Sequence, residues 1–233
     1  MAALTHPSPN FNDRPGGVAI DMVILHYTGM RSGEAALARL CETAAQVSAH
    51  YLIEEDGTCH SLVDEEKRAW HAGVSSWKGT TNLNDQSIGI EIVNPGHEWG
   101  YTVFPMAQIE AVISLLQDIQ QRRHIKPTMV LGHSDVAPDR KEDPGEKFPW
   151  DRLATERLAI GTFQGGFDAS GEDALSYSEA ILSLRDIGYD VPDNQHAAAV
   201  LAFQRRFCPA ALGQGINPLT KAAIEWAKRK FTP

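Results

Sequence analysis

Residues 131–150, LGHSDVAPDRKEDPGEKFPW, put a histidine (His133), a lysine (Lys141) and an aspartate (Asp143) on a segment broken by Pro138, Pro144 and Gly145. Proline removes a backbone donor and glycine relaxes the chain, so this composition predicts a loop rather than a helix or a central strand. His133 and Asp143 stand ten residues apart and converge on one point only if something holds them there; a metal ion is the economical candidate. A hydrolytic zinc takes three protein nitrogens or oxygens and keeps a fourth position for water, whose pKa falls to ~7. His26, at the end of another apolar run, completes that ligand count. Each residue also has an ordinary structural reading: a histidine at a strand end, an aspartate opening a turn before proline. Spacing alone does not choose among nine histidines.

Glu91 is the sharper clue. It lies between Ile90 and Ile92 in SIGIEIV, and strand alternation turns it away from both, toward water or toward a cleft. Facing a metal-bound water, it would accept the proton and deliver it to a leaving amine. Lys141, two residues before Asp143, would then oppose the oxygen that becomes negative in a tetrahedral intermediate.

The elements that must position these groups follow from periodicity. Short apolar runs at 21–27, 87–93 and 129–131 predict buried strands ending near His26, Glu91 and His133. Residues 49–53 and 58–63 flank an Asp56-Gly57 hairpin turn, in which both turn residues are expected to supply positive φ angles. Helical spacing appears at 33–41, 105–124 and about 150–160; 1–17 read as an irregular arm and 68–84 as an aromatic-rich loop. A Gly/Ser/Asp stretch at 161–173 marks a linker, followed by three helical patterns ending at Gly188, at Pro209 and at the C-terminus.

Composition narrows the partners. Apolar residues at 42% against 22% charged describe a soluble globular chain with material for a core. A formal charge of −9 argues against nucleic acid or an anionic membrane surface, which demand a basic face. No apolar run approaches the ~18–20 residues of a membrane span. The first residues lack the basic start and apolar stretch of a secretory leader, so the expected compartment is the cytoplasm, or the periplasm if a leader has been removed. Cys41, Cys59 and Cys208 are odd in number and widely spaced, which predicts reduced thiols rather than a metal framework.

Four ordered segments, ILHYTG (24–29), AWHAG (69–73), NDQSIGIEIVN (84–94) and GHSDVAPDRKEDPGEKFPW (132–150), together with SPNFNDRP, resemble the zinc-dependent N-acetylmuramoyl-L-alanine amidases of the type-2 family, in the AmpD/AmiD-like branch. The resemblance spans roughly residues 8–160. It implies zinc held by His26, His133 and Asp143, Glu91 as general base and acid, and Lys141 as oxyanion stabiliser. Phage-lysozyme-type members carry a Tyr before the His of the central strand; here Ala49 precedes His50, which leaves the proton work to Glu91 and makes His50 a neighbouring or core residue. Trp70, His71, Asn84 and Arg140 are candidate substrate contacts, Arg140 because a guanidinium binds carboxylates bidentately. The segments AVLAFQRRF (199–207) and NPLTKAAIEWAKRKF (217–231) resemble a diverged three-helix peptidoglycan-binding module without its usual Asp-Gly and Phe-Gly turns. Sugar binding and plain packing both stay open for it.

The expectation is therefore an α/β fold, a mixed central sheet flanked by helices plus a small C-terminal three-helix domain. The boundaries are 1–163 for a zinc amidase domain, 164–173 for a linker and 174–233 for the bundle. The implied reaction is hydrolysis of the amide between N-acetylmuramic acid, in its 1,6-anhydro form, and L-alanine of the stem peptide, on a muropeptide or peptidoglycan fragment. The alternative is a binding protein on the same fold that does not cut.

Overall fold

The N-terminal arm departs first from expectation. Rather than staying irregular to residue 17, it contributes two short strands, β1 (Leu4–Thr5) and β2 (Phe11–Asp13), each added to a strand later in the chain. An edge strand needs only free backbone donors and acceptors opposite it, so two short exposed segments gave no warning. Asn10 pins the arm, its side-chain amide donating to the carbonyls of Glu42 and Val47. The structure, a computed structural model, describes residues 3–165 and 175–232. Most of the expected linker, from residue 166 to 173, therefore lies outside the described residues.

The apolar run becomes β3 (Met22–Tyr27), and Ser32 opens α1 (Gly33–Cys41) by accepting the Ala35 N–H. The expected hairpin is β4 (Tyr51–Ile53) and β5 (Cys59–Ser61). Only Gly57 takes a positive φ, 89°, while the Asp56 carboxylate holds the turn by accepting the Thr58 N–H at 2.8 Å. Within the stretch read as loop run β6 (Lys67–Ala69), β7 (Ser76–Trp77) and β8 (Thr80–Thr81). β9 (Ser87–Ile92) follows, then an unforeseen turn of helix, α2 (Gly96–Trp99), and the long α3 (Met106–Arg123).

β10 (Val130–Gly132) starts one residue late because 127–129 wind as a 3₁₀ turn. The segment after it is not all loop. His133–Val136 form a helical turn, α4, since its first proline comes only at 138. α5 (Trp150–Thr155) stops short of residue 160, and Arg157 has φ 60°. Helices α6 (Tyr177–Ile187), α7 (His196–Phe207) and α8 (Pro218–Phe231) complete the chain as expected. All three cysteines are free, and no helix among the described residues is long and apolar enough to cross a membrane.

Six strands form the central mixed sheet in the order β1-β5-β4-β9-β3-β10, with every pair parallel except β4–β5. Alternation divides its side chains between two cores. Val23, Leu25, Ile88, Ile90 and Ile92 pack with α3, whereas Met22, Ile24 and Leu131 face the other way and share one apolar cluster with α6, α7 and α8. His26 and Glu91, register partners on β3 and β9, continue that second face. The C-terminal helices therefore cover the same side of the sheet that carries His26 and Glu91.

Trp77 joins the two parts. It is 1% exposed, its ring meets Tyr189 and Phe231 edge-on at 5.1 and 6.0 Å, and a Cβ on Gly188 would stand 2.6 Å from its indole. Trp77→Ala should cost about 3–5 kcal/mol of stability. Urea unfolding followed by circular dichroism and by fluorescence should still give one coincident transition; two separated transitions would show that the C-terminal helices melt on their own.

Candidate metal centre

Three elements meet at the carboxyl ends of β9, β3 and β10, where parallel sheets commonly present ligands. His26 comes from the end of β3, His133 from the first residue after β10, and Asp143 from the loop beyond α4. The two Nδ1 atoms lie 2.9 Å apart and each lies 3.0 Å from Asp143 Oδ2. All three side chains are buried.

Surrounding bonds assign the tautomers. The Ser87 hydroxyl donates to the Leu83 carbonyl at 2.6 Å, so its oxygen is left to accept from His71 Nε2–H at 3.2 Å. His71 Nδ1 is then an acceptor, and His26 Nε2–H donates to it at 3.0 Å. His133 Nε2 stands 3.1 Å from the Ala72 carbonyl, which can only accept, so that nitrogen carries the proton. Both Nδ1 atoms therefore turn lone pairs toward a carboxylate oxygen, leaving three acceptors within 3.0 Å of one another and no proton among them. That arrangement asks for a cation. A tetrahedral zinc with arms of 2.0–2.1 Å sets its ligand atoms roughly 3.3 Å apart, so the triangle is such a cradle drawn slightly tight.

The ionisation state of His26 agrees: burial, then the neighbouring His133, brings it down to about 4 and keeps it neutral.

The triangle opens onto a cavity of about 460 Å³ lined by Glu91, Lys141, Trp70, His71 and Arg140 among others. Glu91 keeps one oxygen, Oε2, buried with no hydrogen-bond partner among the described residues. Burial, then the charge of Asp143, pushes its carboxyl well above the usual range, with Lys141 pulling the other way. A carboxyl raised in this way takes up a proton more readily than an ordinary glutamate, which suits a group that must accept one and give it back.

The expected substrate contacts divide. Trp70 lines the cavity while its indole N–H donates to Asn12 Oδ1 at 2.7 Å. Arg140 also lines it, although its guanidinium is taken up by the carbonyls of Ala72 and Val74. His71 is occupied in orienting His26. Asn84 is buried behind the cavity wall, where Oδ1 accepts the N–H groups of Ala72 (2.8 Å) and His71 (3.2 Å); it shapes the segment that orients both histidines. His50 is fully buried outside the triangle, accepting the Gly89 N–H at Nδ1 and donating from Nε2 to the Lys67 carbonyl.

Ser87 and the Ala72 carbonyl were missed in the sequence. Ser87, Gly89 and Glu91 share one strand face, and a Cβ on Gly89 would fall 2.4 Å from the His71 ring, so the bare glycine makes room for the relay. The alternation was readable; what stood opposite it was not.

Comparison with known proteins places these residues in company. Residues 16–146 match the family described as N-acetylmuramoyl-L-alanine amidase. The chain is 36% identical to N-acetylmuramoyl-L-alanine amidase AmiD of Escherichia coli K12, over 91% of this chain and 83% of that protein. It is also 36% identical to the 1,6-anhydro-N-acetylmuramyl-L-alanine amidase AmpD of the same organism, over 63% of this chain and 87% of that protein. Among solved structures it resembles AmpDh3 from Pseudomonas aeruginosa in complex with anhydromuramic pentapeptide. There the TM-score is 0.80 and the identity 32%, covering 98% of this chain and 99% of the other. It likewise resembles E. coli AmiD in complex with anhydro-N-acetylmuramic acid-L-Ala-D-gamma-Glu-L-Lys, with TM-score 0.81 and identity 32%, covering 95% and 98%.

The buried His50 gives a pH signature. Burial, then the charge of Arg14, brings it from 6.5 to about 4. A depressed histidine contributes stability that is present above pH 6.5 and lost as pH falls through that value toward 4, here about 3 kcal/mol. The loss of stability of the metal-free protein between pH 7 and pH 4, to which the depressed His26 and His71 add with the same sign, should be smaller in His50→Asn than in the parent by chemical denaturation. An unchanged slope would assign the acid sensitivity elsewhere.

Proposed function

Because this chain belongs to the N-acetylmuramoyl-L-alanine amidase family, we propose that its cleft hydrolyses the amide joining the lactyl group of N-acetylmuramic acid, in its 1,6-anhydro form, to L-alanine of the stem peptide, with one zinc ion held by His26, His133 and Asp143. The observation that carries the reading is the triangle of lone pairs with no proton inside it. Zinc bound there supplies a Lewis acid for the carbonyl and lowers the pKa of the attacking water.

The residues of this chain do the rest. Glu91, which lines the cavity and keeps Oε2 unpartnered, takes the proton of the water as its oxygen attacks the amide carbon. The Lys141 ammonium opposes the charge that gathers on the carbonyl oxygen. Collapse breaks the C–N bond, and Glu91 returns the same proton to the departing nitrogen, leaving a free lactyl carboxylate and a free L-alanine amine. His71 and the Ala72 carbonyl keep both imidazole nitrogens aimed inward throughout. Trp70 and Arg140 line the cavity wall, where an aromatic ring and a positive charge fixed by the Ala72 and Val74 carbonyls would meet the sugar and the stem peptide. Within this reading residues 1–163 are the catalytic unit and 174–233 an accessory unit. A protein that only bound muropeptide would have no use for a buried carboxyl oxygen left without a partner.

Glu91→Gln should keep its zinc and lose 10²–10⁴-fold in kcat. Release of peptide from an anhydromuropeptide, and from intact sacculus, should stop in chelator and return with zinc. Full turnover by zinc-loaded Glu91→Gln would sink the proton assignment. Lys141→Met should lower kcat by roughly 10²–10³ while KM moves little; a change confined to KM would make Lys141 a binding group instead.

A further inference from the structure

Two members of the triangle sit on one short segment, His133 at its start and Asp143 at its end. Bonds within the segment hold it partly: the Ser134 N–H donates to the Asp143 carbonyl at 2.9 Å and the Lys141 N–H to Ala137 at 3.1 Å. The remaining grips come from far along the chain, and they come in a pair.

Asp135, two residues after His133, is wholly buried. Its Oδ2 accepts the Gly132 N–H at 2.8 Å, which closes the helical turn presenting His133. Its Oδ1 accepts the Tyr189 hydroxyl at 2.6 Å, and the guanidinium Nε of Arg206 lies 3.6 Å from Oδ2. Arg206 is itself 2% exposed, lies over the Trp150 ring at 3.4 Å and donates to the Ile160 carbonyl at 2.5 Å. At the other end of the segment the adjacent Arg205 donates to Glu142 Oε1 at 3.0 Å, with Glu146 at 3.8 Å. Glu142 immediately precedes Asp143 and lines the cavity. Consecutive arginines of α7 thus hold the two ends of the loop that carries two of the three ligands.

We infer that Arg206 with Tyr189, and Arg205 at the opposite end, are positioning residues for the metal centre, so that retention of the ion depends on the C-terminal helices. The inference rests on reading the triangle as a zinc site. Physically, a buried carboxylate that loses its donor or counter-charge no longer stays where it was, because stranding one charge of a buried pair is strongly unfavourable. Asp135 would swing toward other donors and release the Gly132 N–H, and the turn would stop aiming His133 at its partners. Groups that orient metal ligands from outside typically change metal affinity by 10–100-fold.

The test uses the full chain and reads zinc affinity by chelator competition beside the melting temperature of the metal-free protein. Tyr189→Phe and Arg206→Met should loosen zinc by about 10–100-fold, and Arg206→Lys should recover part of it. Arg205→Met should loosen zinc less, since Glu142 is half solvent-exposed. Ile224→Ala, a buried truncation in α8, should lower the melting temperature and leave zinc affinity within about threefold of the parent, because it adds a cavity while leaving the Tyr189, Arg205 and Arg206 contacts with the loop in place. If Tyr189→Phe and Arg206→Met hold zinc as tightly as the parent, or loosen it no more than Ile224→Ala, the inference is overturned. Should Arg206→Met fail to fold, Tyr189→Phe decides alone. A parent protein that binds no zinc would instead remove the metal reading itself.

Discussion

Three acceptor atoms turned toward one another without a proton between them are unfavourable in any buried setting, and this molecule is arranged to maintain that situation. Removing them from water keeps His26 neutral, and carbonyls and a serine on the outer edges of the rings fix where the imidazole protons go. The positions of these atoms are set by a rigid frame: two parallel strands side by side, each ending at the site, and one loop held at both ends. For the proposed zinc, affinity and the orientation of its ligands are thus one property of the same bonds.

The carboxyl proposed to move the proton is governed by the same burial. Glu91 stands opposite His26 in register, close enough to feel Asp143, and the absence of a partner for Oε2 keeps that oxygen available. Strand alternation explains how one sheet face delivers Ser87, Gly89 and Glu91 in turn: an anchor for the relay, a space for the His71 ring, and the acid. Three positions at two-residue intervals carry three different duties because different groups stand over them: Leu83 and His71 at Ser87, the His71 ring at Gly89, and the cavity at Glu91.

Much of this could be read in the residues. The strands around 22–27 and 87–92 and the helices α1, α3, α6, α7 and α8 followed from apolar periodicity, and the ordered motifs singled out His26, His133 and Asp143 where spacing could not. What escaped reading depends on partners distant in sequence. Asn84 carries no local sign that its oxygen serves two backbone N–H groups thirteen and twelve residues back, and Asp135 none that a tyrosine 54 positions later will donate to it. The strands of the arm exist because β5 and β6 offer edges, which is information held by those segments and not by residues 4–13. The helical turn at 133–136 escaped because the prolines that argued against it begin two residues beyond it.

α7 has two sides with unlike obligations. Phe203 and Phe207 fill an apolar core, while Arg205 and Arg206 reach out of it to acidic partners on a loop some sixty to seventy positions earlier. A chain that looks in one dimension like a cassette followed by an attachable tail is, in three, stitched together by that helix. Recombination that swapped the tail for another helical unit of similar shape would leave Asp135 and Glu142 facing strangers. Inheritance of the two halves should accordingly be linked, with drift in α7 tied to drift in the loop it holds.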